Sequence, residues 1–296
     1  MAYNTTPIDI NRGTSNILLP PDLASEVWSN VAEQSVIMQM VPRIELPGNG
    51  LAVPIITGDA SASWIGEATE KHVETASLDT ALMYGYKLAV IEPFSMEFRR
   101  DMDRVYEQLV ERLPYSIGKK FDETVFGSTA PGSNFAVLGG STAVSLTPVA
   151  PATVYDQLIT AYTTLATAGH DTTGWVLSPA AIGQLLAATD SIGRPLLIDS
   201  PANDKGLGMI LGAPVYKSSH AYESGSPNQV GYVGNWEAAR WGMVNPGIRI
   251  SISEEATIND GTNQINLWQS NMFAVRVECE LGFQVRDSAA FVKLTD

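Results

Sequence analysis

The sequence predicts an α+β protein in which strands and helices occur in long, separate runs. One long helix is predicted over residues 95–127, where apolar side chains recur every four residues and charged side chains occupy the opposite face. Strands are predicted in an extended hairpin over 43–92 and in alternating segments over 267–294. Short helices and strands between these parts predict a compact mixed unit.

The composition is typical of a globular chain that buries a core. Hydrophobic residues make up 45% of the 296 residues, and no apolar run approaches the roughly 18 residues that a membrane span needs. The first 16 residues are polar and do not resemble a secretory signal, so we expect a cytoplasm-like compartment. The net charge of −14 repels nucleic-acid phosphate, which argues against tight or sequence-specific DNA binding.

Few residues in the chain suit metal binding or catalysis. The single cysteine, Cys279, excludes an intrachain disulfide and a multi-cysteine zinc site. The histidines His72, His170 and His220 are far apart in sequence and follow no spacing typical of metal ligands. The sequence contains neither a nucleophile elbow nor a phosphate-binding loop of the common kinds. We therefore predict no metal, no cofactor and no turnover of a small-molecule substrate.

The extended hairpin has an unusual tip. Residues 51–57 and 82–91 are predicted as its two strands. The tip over 58–80 is polar and rich in Ala, Ser, Thr and Glu, with few aliphatic residues that could build a core. A long loop without a core of its own is usually functional or ordered by a partner. We therefore expect the tip to bind another subunit.

The long helix has recognisable ends and one expected distortion. Asp103 suits an N-cap, and Gly127 suits the position after the last turn. Phe121 lies on the apolar stripe, whereas Lys120 lies off it. Pro114 interrupts the helical pattern in the middle, so a kink is expected there.

The remaining segments are predicted more briefly. Residues 1–20 show no period and predict an extended arm, and a first helix follows to about Met40. Thr153 is the predicted N-cap of a helix, and Pro179 begins another. Strands are predicted over residues 175–177, 213–217, 230–233, 240–244 and 248–253. The terminal strands are expected to break near Gly282 and Asp287.

The order of these parts resembles the Hong Kong 97-type major capsid proteins of tailed phages. Short segments resemble that family's motifs and occur in the family's order. They are WIGE at 64–67, FSME at 94–97, VLSP at 176–179, DSIGRP at 190–195, LGAPV at 211–215, GNW at 234–236, and the segments 271–283 and 290–292. Each motif is weak alone, but their order over nearly the whole chain makes the resemblance specific.

The resemblance implies a domain plan and a function. Residues 1–42 would be the N-terminal arm and first helix, and 43–92 the extended loop. The peripheral domain with its spine helix would take 93–135 and 265–296, and the axial α+β domain 136–264. The implied function is a major capsid protein that assembles in the host cytoplasm, as pentamers and hexamers, into an icosahedral head around double-stranded DNA.

Partners and contact residues are also implied by the resemblance. Other copies of the chain, a portal and decoration proteins are expected partners, and packaged DNA is contacted non-specifically. Because the chain begins at Met1, about 20 residues before its first family-like helix, scaffolding is expected from a separate protein, or the chain is not the full precursor. Trp64 and Glu67 in the loop, and Arg99 and Arg100 near the long helix, are expected to contact neighbouring subunits.

Some members of this family join subunits by an isopeptide bond between a loop lysine and an asparagine, with a glutamate as proton acceptor. Asn271 and Glu278 fall on the family's asparagine and glutamate positions, and seven residues apart on a regular strand they would face opposite sides. The lysine position matches Thr80, and Lys71 lies about 30 Å short of it along an extended strand. We therefore expect mainly noncovalent shells, with Asn271 structural and Glu278 paired with an arginine such as Arg276.

Two other functions fit parts of the sequence. A cellular nanocompartment shell of the encapsulin type would have the same fold and would enclose a cargo enzyme. A soluble α+β enzyme with a site in the central domain is the second alternative, and the shortage of His, Cys and clustered carboxylates argues against it. Size-exclusion chromatography separates these classes, because an enzyme elutes as a small oligomer and a shell protein as capsomers or particles.

Overall fold

The computed structural model describes residues 35–58, 60–67, 70–71, 73–75, 77–101, 103–147, 153–188, 208–244, 248–259, 261 and 263–296. The predicted arm and most of the predicted first helix lie outside these residues. The described end of that helix, Val36–Met40, buries Val36 and Ile37.

In the described residues the helices are α1 (Val36–Met40), α2 (Met96–Asp101), α3 (Asp103–Phe126), α4 (Val154–Thr167) and α5 (Pro179–Ala187). The strands are β1 (Arg43–Leu46), β2 (Leu51–Gly58), β3 (Ser77–Met83), β4 (Tyr86–Ser95), β5 (Thr142–Ser145), β6 (Gly174–Leu177), β7 (Met209–Ile210), β8 (Ala213–Lys217), β9 (Gln229–Gly234), β10 (Ala239–Val244), β11 (Arg249–Ser253), β12 (Thr257–Asn259), β13 (Gln264–Asn266), β14 (Met272–Val285) and β15 (Phe291–Thr295). This mixture is the predicted α+β class.

The chain forms two compact units. Unit 1 contains Lys87–Phe121 and Pro246–Glu280, and unit 2 contains Val36–Tyr86, Asp122–Asn245 and Leu281–Asp296. Both units are therefore assembled from segments that are distant in sequence.

Unit 1 is organised around the first part of β14. That part pairs with β4 and, antiparallel, with β11. Three phenylalanines pack β4, α2 and β14 together. The ring of Phe94 stacks on the rings of Phe98 and Phe273, with centroid distances of 6.0 and 5.7 Å. Aromatic pairs at these distances add to the stabilisation that burial alone provides.

The predicted long helix is divided in two. Residues 96–101 form α2, and α3 begins at Asp103, which is thus the first helical residue rather than the predicted N-cap. The helical assignment of α3 continues through Pro114 without a break and ends at Phe126, before Gly127 as predicted. Phe121 is 2% exposed and Lys120 is exposed, which confirms the predicted buried face in this part of the helix.

Unit 2 contains a six-stranded sheet in the order β5-β15-β9-β6-β8-β7. The continuous apolar run of β6 occupies an interior position, and all four of its residues are buried, as expected for a strand covered on both faces. Helices α4 and α5 contribute Leu158, Leu165 and Leu185 to its core. The two helices start as predicted: Thr153 forms a capping box with Asp156, and Ser178 caps α5.

The second strand of the predicted hairpin was placed wrongly. The strand that returns along β2 is β3, with register from Leu51 opposite Met83 to Gly58 opposite Ser77, and residues 86–95 form β4 in another sheet. Apolar alternation continues through both strands and conceals the bend between them. Tyr84, at this bend, packs closely against Gly50, whose φ is +86°. A Cβ at position 50 would lie 2.6 Å from the Tyr84 ring, so the position favours glycine.

One of the two predicted breaks in the terminal strands is also wrong. Strand β14 runs through Gly282 without interruption, and the chain leaves the strand only at 286–290, around Asp287 as predicted. Gly282 lies opposite Gly242 of β10, and a Cβ there would lie 2.6 Å from the carbonyl oxygen of Tyr84. This glycine allows a close backbone approach and does not end the strand.

Candidate assembly surfaces

The tip of the hairpin exposes large apolar side chains. Trp64 is fully exposed, at 104% of its reference area, and Val73 is 85% exposed. Glu67 and Lys71 lie in the same loop and are exposed as well. Ile65, next to Trp64 in sequence, is 41% exposed as well, and grouped exposed apolar side chains are typical of interaction sites. The tip therefore has the composition of a contact surface, with a central aromatic residue and charged neighbours.

The Ser61 and Glu74 sides of this tip are joined by hydrogen bonds. The backbone N–H of Ser61 donates to Glu74 Oε2 at 2.7 Å, and the Ser61 hydroxyl also hydrogen-bonds this carboxylate. Because the acceptor is ionised, these bonds are stronger than bonds between neutral groups. Ser61 and Glu74 lie on either side of Trp64 in sequence, so their contact restrains the segment that carries the exposed indole.

The two arginines predicted to contact a neighbour already have partners in their own chain. The Arg99 guanidinium lies 5.5 Å from the centre of the Phe273 ring, within the range of a cation–π contact. Arg100 Nε donates to Asp101 at 2.9 Å, and this hydrogen bond and the charge of Asp101 raise the pKa of Arg100. Both arginines remain exposed at the surface of unit 1.

Asn271 fixes the first turn of α2. The side-chain Nδ2 of Asn271 donates to Glu97 Oε1 at 2.6 Å. The backbone carbonyl oxygen of Asn271 accepts from the Met96 N–H at 3.0 Å. Its φ of +54° belongs to the left-handed region, which Asn tolerates better than most residues. Asn271 thus precedes β14, so the predicted strand alternation between Asn271 and Glu278 does not apply.

Glu97 is a residue of this site that sequence reasoning did not identify. It belongs to the FSME segment, but nothing in the sequence indicates that it meets Asn271, 174 residues away. Ser95 caps the same turn by accepting from the Phe98 N–H at 3.1 Å. Only the pairing of β4 with β14 brings these segments together.

Glu278 is paired with arginines, as expected from the sequence for a glutamate with a structural role. Its carboxylate lies 3.6 Å from Arg276 Nε and 4.0 Å from Arg249 Nη1, and its side chain is 16% exposed. Arg249 is also the residue opposite Glu278 in the β11–β14 register. This partly buried cluster places the carboxylate between two guanidinium groups.

Lys71 lies in the hairpin tip, apart from the strand that carries Thr80. Thr80 lies within β3, opposite Pro54 of β2, and Lys71 lies in the loop beyond the end of that strand. Because β3 begins only at Ser77, Thr80 lies within the strand and Lys71 lies outside it. Lys71 is an exposed amine in the tip.

The described residues offer little for catalysis. Among them, no cluster of three or more His, Cys, Asp or Glu side chains could hold a metal ion, and no helix is long and apolar enough to cross a membrane. Burial raises the pKa of the Cys279 thiol to about 11, with a further contribution from Glu280, so the thiol is protonated near neutral pH. His170 Nε2 lies 3.0 Å from Asp287 Oδ2, a contact between two loops of unit 2.

Comparison with known proteins identifies the family. The model of the phage capsid family matches residues 15–296. A curated relative from Mycobacterium phage L5, named a "probable major capsid protein", is 31% identical, with 94% of this chain and 89% of the relative covered. A solved structure from Mycobacterium phage Adephagia aligns with a TM-score of 0.76 at 17% identity, covering 97% of this chain and 98% of that one.

A second solved structure, titled as the capsid of an empty GTA particle computed with C5 symmetry, aligns with a TM-score of 0.67 at 15% identity, covering 94% of this chain and 99% of that chain. At these identities the structural matches show the fold, which is the predicted Hong Kong 97-type fold. The match to the family model extends over nearly the whole chain, and on that basis this chain belongs to the phage capsid family.

Proposed function

We propose that this chain is a major capsid protein that assembles, as pentamers and hexamers, into the icosahedral head of a phage. The observation that carries the proposal is the β2–β3 hairpin with its exposed tip, in a chain of the phage capsid family. Burying the Trp64 indole against another subunit removes about 150–250 Å² from water. At about 25 cal/mol per Å², one such contact contributes roughly 4–6 kcal/mol before ordering costs are subtracted.

Repetition makes such a contact sufficient for a shell. In a closed assembly every subunit gives its tip to a neighbour and receives another tip, so one modest contact recurs for every copy. The individual contact can then remain weak enough to form and break while the shell closes. An exposed aromatic tip with a restrained base is suited to this task.

The proposed cargo is double-stranded DNA, bound without sequence preference. The net charge of −14 supports this, because an acidic lining repels phosphate and leaves packaged DNA free to move out again. The proposed partners are further copies of the chain, a portal, a separate scaffolding protein and decoration proteins. The proposed place of assembly is the host cytoplasm, and the proposed final location is the virion.

The cross-link candidates form a second part of the proposal. Lys71 of one subunit is the candidate amine, and Asn271 of another is the candidate acceptor. The neutral amine attacks the side-chain amide carbon of Asn271, a new amide bond forms and ammonia leaves, with Glu278 as the carboxylate that takes up and returns the proton. The hydrogen bond to Glu97 holds the Asn271 amide in a fixed orientation, which supports its role as acceptor.

The proposal excludes a metabolic activity. The only chemistry it assigns is a single reaction between subunits, without turnover. The match to a family of structural capsid proteins supports this assignment. The matches to phage relatives do not favour the nanocompartment alternative.

The proposed function is tested by expressing the full chain and measuring its mass in solution by light scattering, followed by negative-stain electron microscopy. Assemblies far heavier than the 31.8 kDa subunit, with closed outlines, are expected. If scaffolding is required, these assemblies appear only on co-expression with the neighbouring genes of the same phage. A stable small oligomer under both conditions would contradict the proposal.

A further inference from the structure

The side-chain amide of Asn271 turns one defined end towards Glu97. The distance between Asn271 Nδ2 and Glu97 Oε1 is 2.6 Å. Because a carboxylate only accepts hydrogen bonds, this contact is favourable for the NH2 end of the amide and unfavourable for its oxygen. In the cross-link proposed above, Nδ2 is the atom that leaves as ammonia. The carboxylate of Glu97 therefore lies beside the leaving nitrogen.

The backbone holds these two side chains in place. The Asn271 N–H donates to the Trp268 carbonyl oxygen at 3.4 Å, and the Asn271 carbonyl oxygen accepts from the Met96 N–H at 3.0 Å. Glu97 follows Met96 in the first turn of α2, which Ser95 caps. The carboxylate and the amide are thus positioned before any second subunit arrives, and groups positioned in advance lose little freedom when they react.

Glu278 is too far away to act on the Asn271 amide of its own subunit. Asn271 directly precedes β14, and Glu278 lies within that strand. At about 3.3 Å per residue, the strand separates the two residues by roughly 20 Å. Glu278 can therefore reach an Asn271 side chain only in another copy of the chain. Glu97 is the carboxylate that every subunit places beside its own Asn271.

The surroundings of Asn271 and Glu97 suit attack by a neutral amine. Both residues are exposed in the single subunit, so an incoming side chain can reach them. Trp268, three residues before Asn271, is 74% exposed, and a segment that covers the indole also excludes water from the neighbouring amide. Arg99 and Arg100 follow Glu97 in α2. Exclusion of water and nearby positive charge both favour the neutral form of an amine, which is the nucleophile.

We propose that Glu97 is a catalytic residue of the cross-link, the carboxylate that passes a proton from the attacking amine to the leaving nitrogen of Asn271. The neutral Lys71 amine of another copy adds to Asn271 Cγ, which leaves its nitrogen positively charged. Glu97 accepts one proton from that nitrogen and gives it to Nδ2, after which the Cγ–Nδ2 bond breaks and ammonia leaves. The carboxylate ends as it began. This inference rests on the proposed function, in which Glu278 of another copy keeps its role toward the incoming lysine.

The first test compares variants of the full chain in assembled shells. Glu97→Gln keeps the length of the side chain, and its carbonyl oxygen still accepts from Asn271 Nδ2, but it cannot carry the proton. We expect shells at the wild-type yield, with a ladder of multiples of 31.8 kDa that forms at least tenfold more slowly on a denaturing gel. Glu97→Asp retains a carboxylate and should fall between the two. Glu255→Gln, which neutralises an exposed glutamate elsewhere, is the control and should match the wild type.

Mixed shells show which copy must carry Glu97. In shells co-assembled from Lys71→Arg and Glu97→Gln chains, joined pairs are expected, because Lys71 of the second chain reacts at an Asn271 that lies beside an intact Glu97. No pairs are expected when Glu97→Gln is mixed with Asn271→Gly, since the remaining Asn271 then lies beside a glutamine. Glycine suits this position because φ is +54°. Co-assembly also brings the Glu97→Gln chain into shells if it does not form them alone.

The outcomes separate the inference from the proposed function. A ladder that forms at the wild-type rate in Glu97→Gln shells overturns the inference and leaves the cross-link in place, and so does an equal loss in Glu255→Gln. Joined pairs in the mixture with Asn271→Gly, or their absence in the mixture with Lys71→Arg, overturn it as well. Wild-type shells that give a single band exclude the cross-link and this inference, but not the capsid function. A wild-type chain that never assembles contradicts the proposed function and the inference together.

Discussion

The buried face of α3 and the tip of the β2–β3 hairpin differ in what keeps them stable. On α3, Ile117, Phe121 and Val125 are at most 3% exposed, so their apolar side chains are already buried within one chain. At the tip, Trp64 and Val73 are 104% and 85% exposed. Side chains of the first kind determine whether the subunit folds, whereas in the proposed shell side chains of the second kind are buried by another copy. Stability and assembly are therefore separable by mutation.

The largest expected effect is on the helix. Phe121→Asp buries a charge without a partner at a position that is 2% exposed, and we expect a loss of several kcal/mol in the free energy of unfolding. Lys120→Asp changes an exposed neighbour and is expected to cost less than about 1 kcal/mol. Urea unfolding of the isolated subunits measures both. Equal soluble yields and equal midpoints would contradict the assigned helix face.

Replacement of the tip should produce the opposite result. A short Gly-Ser linker in place of residues 60–75 keeps β2 and β3 paired and removes Trp64, so the midpoint of thermal unfolding should change by no more than a few degrees. Closed shells should not form. The single substitution Trp64→Ala is the milder form, and Trp64→Phe, which retains an aromatic side chain, is its control. Shells of normal size from the linker variant would show that the tip has no part in assembly.

The proposed covalent bond affects the mature shell and not the fold. Particles boiled in detergent are expected to give a ladder of multiples of 31.8 kDa on a denaturing gel. The ladder should disappear in Lys71→Arg, which retains the charge, and persist in Lys87→Arg, another exposed lysine. A single band from wild-type shells would contradict the covalent bond and would support the noncovalent shell expected from the sequence. Persistence of the ladder in Lys71→Arg would exclude this lysine.

The smallest expected effect concerns the contact between His170 and Asp287. A backbone hydrogen bond from Ala289, and then the contact with His170, hold the pKa of Asp287 below its usual 3.8. A carboxyl with a lowered folded-state pKa contributes stability that is complete above 3.8 and is lost as the pH falls through the lower folded value. Asp287→Ala should therefore destabilise the subunit by about 1 kcal/mol at pH 7, mostly because the Asp287 carboxylate no longer accepts from the Ala289 N–H at the start of a short helical turn.

The pH dependence distinguishes this contribution from a general loss of structure. The difference between Asp287→Ala and the wild type should shrink when unfolding is measured at successively lower pH below about 4. Glu255→Ala, which removes an exposed carboxylate, is the control and should change stability little at any pH. A difference that stays constant down to acidic pH would contradict the contribution of the ionised carboxylate.

Periodicity in the sequence predicted much of the fold. The α3 stripe, the capped starts of α4 and α5 and four strands of the six-stranded sheet (β6, β8, β9 and β15) are local patterns, and local patterns survive in the folded chain. The β3–β4 boundary was missed because alternation continues across it, and the bend at Tyr84 depends on its contact with Gly50. Gly282 was predicted to break the strand because its close approach to the Tyr84 backbone arises only in the folded chain and leaves no local pattern in the sequence.

The candidate site was predictable only in part. The exposed tip follows from composition, since a segment poor in aliphatic residues cannot cover Trp64. The link between Asn271 and Glu97 joins residues 174 positions apart and depends on strand pairing, which no local pattern encodes. Long-range register is thus the information that the sequence patterns did not contain.

The central claim is that the tip of one subunit is buried by another copy. Cryo-electron microscopy of purified assemblies, at a resolution that shows side chains, tests it most directly. We predict closed shells in which the Trp64 indole of every subunit is covered by a neighbouring copy. Closed shells with Trp64 still in solvent, or a purified protein that remains a small oligomer under all assembly conditions, would contradict the account.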